Sequence, residues 1–304
     1  MINRNLIRIR VVQMVYAWYQ NTNKDLRKAE KELLFSLQKS YDLYNYFLFL
    51  LIELTNTYEE RVEAKRNKFL PSEEDLDPNT NLIDNKFILQ LKSNKQLKNH
   101  LQERPWNWEN SEGFVKKLLD IILESDTYKK YSEIIVPTYD EDKDFWRKTF
   151  KKYIYGNIDL DDLLEDESIF WNDDIEIIQT FVIKSIKQFK QENGDSQPLL
   201  PMFKDEEDKQ FALTLFRDTI EHEVKYRDLI KKHTDKWDFE RIAFMDLIIM
   251  QVAISEICTF VSIPTSVSMN EYIEIAKSYS TPKSGTFING ILDSIVNELE
   301  KREQ

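Results

Sequence analysis

Three features of the chain predict an all-α fold, a bundle of amphipathic helices. Apolar residues recur at i, i+3, i+4 and i+7 in one segment after another, from Ile7 and Val11 near the start to Ile288, Ile291, Leu292 and Ile295 near the end. Only five glycines occur in 304 residues, Gly113, Gly156, Gly194, Gly285 and Gly290, none near another except the last pair, which excludes a Gly-rich phosphate loop or a dinucleotide fingerprint. Prolines and short polar links separate the helical patterns, without the strand–helix alternation that builds a cofactor-binding sheet.

Composition narrows the function classes. Charged residues are 32% of the chain and no uncharged apolar run approaches the roughly 18 residues of a membrane span; the richest, Tyr46 to Ile52, is far too short. A single cysteine, Cys258, cannot form an internal disulfide, and the opening Met-Ile-Asn-Arg-Asn-Leu-Ile-Arg-Ile-Arg has no apolar core of signal-peptide length, so a cytoplasmic location is expected. The net charge of −12 argues against indiscriminate nucleic-acid binding, so any RNA site must be local or shared with a basic partner.

The first twenty residues form an amphipathic helix with a basic end: Arg4, Arg8 and Arg10 on a helix whose stripe is Ile7, Val11, Met14 or Val15, and Trp18. From Asp25 to about Arg66 a long helical pattern turns aromatic, as expected for packing against other helices. Residues 67–85, with Pro71, Pro78 and Glu73-Glu74-Asp75, read as a loop. Helices are then expected over roughly Lys86–Glu103, Glu112–Ser132, Lys143–Tyr155, Leu160–Asp166 and Asp173–Glu192, the last stopped by Gly194. Trp106-Asn107-Trp108 and Phe170-Trp171 should anchor short links to the core.

Another helix carries Phe211, Leu215, Phe216, Thr219, Ile220 and Val224. The segment Trp237 to Phe260 is apolar on several faces and is expected at the centre of the bundle. Pro264 precedes a helix with Tyr272, Ile275, Ala276 and Tyr279 on one face, Ser268 and Glu271 at capping-box spacing, and Pro282 beyond its end. After Gly285 the last helix runs along Ile288, Ile291, Leu292, Ile295 and Leu299. Gly290 lies inside it at a cost of roughly 1 kcal/mol against alanine, which suggests close approach of another backbone there.

Catalytic chemistry is missing from the pattern. His100, His222 and His233 are scattered without metal-ligand spacing, the carboxylates have no paired-acid arrangement, and Cys258 ends an apolar helix as a small core residue would. No enzyme, cofactor or metal site is expected.

What stands out is Asn270-Glu271, then Ala276-Lys277, then Phe287-Ile288-Asn289-Gly290-Ile291-Leu292-Asp293, together with Val12-Gln13-Met14-Val15-Tyr16-Ala17-Trp18 near the start. These resemble the NusB family of bacterial transcription antitermination factors in order and spacing, over about 1–20 and 205–300. One departure is Met250-Gln251, where that family often has Leu-Arg. The resemblance implies a NusB-like helical bundle with residues 1–66 and 205–304 as its two parts and residues 67–204, net charge −8, as a helical insertion.

By the same resemblance the protein would bind boxA-type single-stranded RNA of ribosomal RNA leaders together with NusE, a ribosomal small-subunit protein, within an elongation complex of RNA polymerase and other Nus factors. Arg4, Arg8, Arg10 and Tyr16 from the first helix would meet Lys277, Lys283, Ser284, Phe287 and Asn289 on one surface, the cations on phosphates and an aromatic on an unpaired base. Arg241 and Asp246 would face the protein partner. Two other readings are a helical adaptor that has lost RNA binding, and the RNA-binding part of a ribosomal RNA methyltransferase, against which the missing cofactor loop and catalytic cysteine setting count.

Overall fold

The computed structural model describes residues 1–106, 108, 111–234 and 239–303. Among these described residues are fifteen α-helices: α1 (Arg4–Gln20), α2 (Leu26–Arg66), α3 (Glu73–Leu76), α4 (Lys86–Ser93), α5 (Lys95–Glu103), α6 (Glu112–Glu124), α7 (Asp126–Ser132), α8 (Tyr139–Thr149), α9 (Ile158–Glu167), α10 (Ile175–Gln188), α11 (Glu206–Glu221), α12 (Glu223–Lys232), α13 (Phe244–Thr259), α14 (Thr265–Tyr279) and α15 (Ser284–Glu303). No strand is found among the described residues; Ile2 and Phe203 form a single bridge. The all-α class is therefore observed, and none of the described helices is long and apolar enough to cross a membrane.

Two compact units share the chain, one of residues 2–38 and 202–304, the other of residue 1 and 39–201. The divisions fall within α2 and near residue 201, whereas the sequence-based segments end at 66 and 204. In the first unit α13 is the hub, packed on α1, α11, α12, α14 and α15. Every residue from Asp246 to Glu256 is buried, which is why this helix is apolar on several faces. Trp237, expected at its start, lies outside the described residues; a short 3-10 turn, Phe239–Arg241, precedes it. Asn3 caps α1 by accepting from the Leu6 amide (2.9 Å).

The second unit is built on the aromatic half of α2. Phe47 meets Phe150 edge-on at 5.9 Å, Phe87 meets Phe189 at 5.1 Å, and the Tyr44 hydroxyl lies 2.5 Å from that of Ser185. Trp171 anchors its link by donating from Nε1 to the Lys39 carbonyl (2.9 Å). Trp106 stacks on Tyr46 at 4.8 Å; its neighbour Asn107 lies outside the described residues.

Polar caps subdivide helices that periodicity alone reads as continuous. Asn94 separates α4 from α5 by accepting from the Leu97 amide and donating to the Gln197 carbonyl, and Ser125 separates α6 from α7 by accepting from the Tyr128 amide. A Thr138–Glu141 capping box starts α8 ahead of the expected Lys143, and α8 ends in a π-turn, Phe150–Ile154. The helix expected to run through Val224 breaks at His222, leaving Val224 exposed. Ser268 forms no capping box: α14 begins a turn earlier, and the buried Ser268 hydroxyl serves Glu256 instead.

Candidate nucleic-acid interface

All the residues expected to contact RNA or a protein partner lie in the unit built around α13, most of them in two groups at opposite ends of that helix. Asp246 and Glu256 mark the ends, ten residues or about 15 Å apart along the axis.

At the Glu256 end the arginines of α1 are mostly engaged. Arg8 is only 4% exposed and donates from Nε and Nη2 to Glu256 Oε2 and Oε1 (2.8 and 2.7 Å), with Nη1 3.9 Å from Glu271. Glu256, fully buried, also accepts from the hydroxyls of Ser268 (2.6 Å) and Tyr272 (2.8 Å). Burial by itself would lower the Arg8 pKa, but the hydrogen bond and charge of Glu256 outweigh it and raise it. Burial and the Glu256 charge push the Tyr272 phenol well above its ordinary range. Arg8 is thus half of an internal ion pair rather than a cation presented to phosphate. Arg10 is also 4% exposed and donates to Gln13 Oε1 (2.9 Å). Arg4 alone of the three reaches the surface, over the Phe211 ring at 5.1 Å and 3.2 Å from Asp208.

At the other end of α13 lies a groove of about 410 Å³, lined by Arg241, Ile242, Ala243, Asp246, Thr281, Lys283, Ser284 and Phe287. The turn between α14 and α15 forms one wall, because Pro282 cannot continue a helix and Asp246 pins the link from below. Asp246 Oδ1 accepts from Ser280 Oγ (2.5 Å) and Oδ2 from Ser284 Oγ (2.9 Å), while the Thr281 amide donates to Ser284 Oγ (3.1 Å). Ser284 and Asp246 are therefore buried parts of the groove's frame. Arg241 and Lys283 are exposed, and neither has an ion-pair partner among the described residues. With the Asp246 oxygens occupied by hydroxyls, the groove presents net positive charge on an acidic chain.

Beside the groove, Tyr16 packs against Phe244 at 5.7 Å, Tyr19 reaches the same ring at 5.9 Å, and Arg227 lies over the Tyr19 ring at 4.8 Å. Phe244, adjacent in sequence to the groove residue Ala243, had no distinguishing sequence signal, since it reads as one more apolar residue of the central helix. Tyr19 is drawn into this cluster by Gln251, whose amide donates to its hydroxyl (3.2 Å); burial and Glu223 push the phenol up to about 12. Gln251 is one of the two residues that depart from the Leu-Arg pair.

Asn289 and Gly290 are exposed on α15. A Cβ at Gly290 would meet nothing within 4 Å, so no close approach among the described residues explains that glycine. The close approach is at Gly285, where a Cβ would lie 3.1 Å from Lys277 Cγ, and Lys277 itself pairs with Glu274 at 2.5 Å. The histidines contact carboxylates, as in His233 with Glu298 (2.7 Å), but no cluster of three or more metal-ligating side chains occurs among the described residues.

Comparison with known proteins places the C-terminal part of the chain. A sequence model of the NusB family matches residues 173–297, beginning inside the stretch expected to be an insertion and leaving α1 outside. A transcription antitermination protein NusB of Salinibacter ruber is 39% identical over 124 residues, covering 39% of this chain and 78% of that protein. The NusB proteins of Thermodesulfovibrio yellowstonii (40% over 118 residues, 39% of this chain and 74% of the relative) and Natranaerobius thermophilus (42% over 92 residues, 30% and 66%) are similar in the same way. No solved structure matches the chain.

Proposed function

Because the chain belongs to the NusB family, we propose that it is a non-enzymatic transcription antitermination factor that binds boxA-type single-stranded RNA of ribosomal RNA leaders, together with NusE, on the surface around the groove at the start of α13. The observation that carries this reading is the convergence of Arg241, Lys283 and Phe287 on one groove, with the Tyr16–Phe244 pair alongside. Cations beside exposed aromatic rings suit unpaired RNA, whose phosphates need neutralising and whose bases can stack for about 1–3 kcal/mol each. Lys277, Asn289 and Arg4 extend the surface, whereas Arg8, Arg10 and Ser284 support it from within. Asp246 acts by holding the 280–284 link, and Arg241 is the proposed contact to NusE.

The test is the affinity for a short boxA-like RNA, with and without NusE, across a salt series. Lys283→Gln with Phe287→Ala should weaken binding at least tenfold, and each phosphate that is no longer neutralised should reduce the log–log salt slope by about 0.7. Unchanged affinity in the double variant would refute this surface. RNA binding lost with NusE capture intact would separate the two partners' sites. A protein that captures NusE but binds no RNA in either condition would be a helical adaptor.

A further inference from the structure

The unit of residues 39–201 contains a cleft of about 470 Å³ unrelated to the groove above, in the size range of small-molecule sites. It lies between α7 and the face of α8 that continues into the π-turn Phe150–Ile154. Tyr131, Phe145 and Ile134 form its apolar floor, with the first two rings stacked at 4.3 Å. Lys130, Lys148 and Lys152 rise around it, with Thr127 at one side. Residues 67–204 are strongly acidic, yet residues 126–154 hold seven bases against six acids.

Three acids, Asp126, Glu141 and Asp144, also line the cleft and balance its three lysines in charge. Glu141 accepts from the Thr138 amide and hydroxyl (both 2.8 Å), which hold its carboxyl below the ordinary range. Asp144 is bound by Arg147 and Lys148 (2.5 and 2.6 Å); burial would raise its carboxyl, but these bonds outweigh that and hold it low. Asp126 remains. Lys130 has no ion-pair partner among the described residues, and Lys152 is held by the Tyr153 hydroxyl and ring. Lys152 stands in the π-turn, a distortion that recurs at functional sites.

From this geometry we infer that the cleft binds a nucleotide-sized phosphate ester, its phosphate held by Lys130 and Lys152 and its less polar body over Ile134 and Phe145. Lysine ammoniums act as point charges towards phosphate oxygens, and the apolar floor favours an organic phosphate over the inorganic ion. This inference does not depend on the antitermination reading, since none of these residues belongs to the unit that carries it.

Calorimetric titration of the full chain with AMP, pyrophosphate and inorganic phosphate tests it, beside Lys130→Gln/Lys152→Gln and Ile134→Ser variants whose fold is checked by circular dichroism. Expected are saturable AMP binding with Kd below about 1 mM, at least tenfold weakening in the double lysine variant, and loss of the AMP preference over phosphate in Ile134→Ser. A single-stranded oligonucleotide that displaces AMP would identify RNA as the source of the phosphate; failure to displace it would point to a free nucleotide. No binding of AMP or pyrophosphate at about 10 mM, or binding unchanged in the lysine variant, would overturn the assignment. Lys283→Gln should leave AMP binding untouched.

Discussion

Arg8→Ala should act on stability far more than on RNA affinity per folded molecule. In the structure the Arg8 guanidinium makes two short hydrogen bonds to Glu256, with both side chains nearly or fully buried. Removing the arginine leaves a carboxylate inside the protein with only the Ser268 and Tyr272 hydroxyls for partners. Breaking one side of such a buried pair costs about 3–5 kcal/mol, because the remaining charge is desolvated and poorly compensated. Glu256→Gln should cost a similar amount from the other side. Arg8→Met combined with Glu256→Leu removes both charges, and should recover much of the loss while leaving the two hydroxyls unpaired. The assay is urea unfolding followed by circular dichroism, with analysis restricted to the transition of the α13 unit because the chain holds two compact units. A loss below about 1 kcal/mol for Arg8→Ala, together with weakened RNA binding, would refute the ion-pair reasoning and restore Arg8 as a phosphate contact.

Other outcomes follow from single contacts. Asp246→Ala, which frees the Ser280 and Ser284 hydroxyls, should destabilise the α13 unit by about 1.5–3 kcal/mol and raise hydrogen exchange across residues 280–284. Gly290→Ala should stabilise by roughly 0.5–1 kcal/mol in thermal melts, since its Cβ meets no atom; weaker RNA or NusE binding in that variant would show that a partner needs the bare backbone. Gly285→Ala should gain less, because its Cβ presses on Lys277. Tyr19 is held in its neutral form by burial, with a folded pKa of about 12 above the ordinary phenol value. Its contribution is therefore complete below pH ~10 and lost as pH rises towards 12, and the wild-type minus Tyr19→Phe stability difference should decline across that window.

Much of the candidate interface is legible in the sequence because its residues lie in a contiguous motif. Lys283, Ser284, Phe287 and Asn289 are neighbours on a turn and the helix after it, and local spacing is enough to bring them together. The arginines of α1 were legible as a basic helix end but not as buried. Nothing local distinguishes Arg4, which reaches solvent, from Arg8, which meets a carboxylate 248 residues away. Glu256 was likewise visible only as one acid among 54. The subdivision at Asn94 and Ser125 was missed for a related reason: an asparagine or serine within a helical pattern acts as a cap only where the tertiary fold turns the chain.

The sequence by itself determined the helical class, the buried central helix and the family motif, since each is written in a period of 3.6 residues or in a run of adjacent side chains. The tertiary structure alone decided which charges face water, that Arg241, Asp246, Lys283 and Phe287 share a groove, and that the space beside Gly290 is open rather than filled by a neighbouring helix. Those facts depend on which helices pack together, and packing joins residues whose separation along the chain carries no periodic signal.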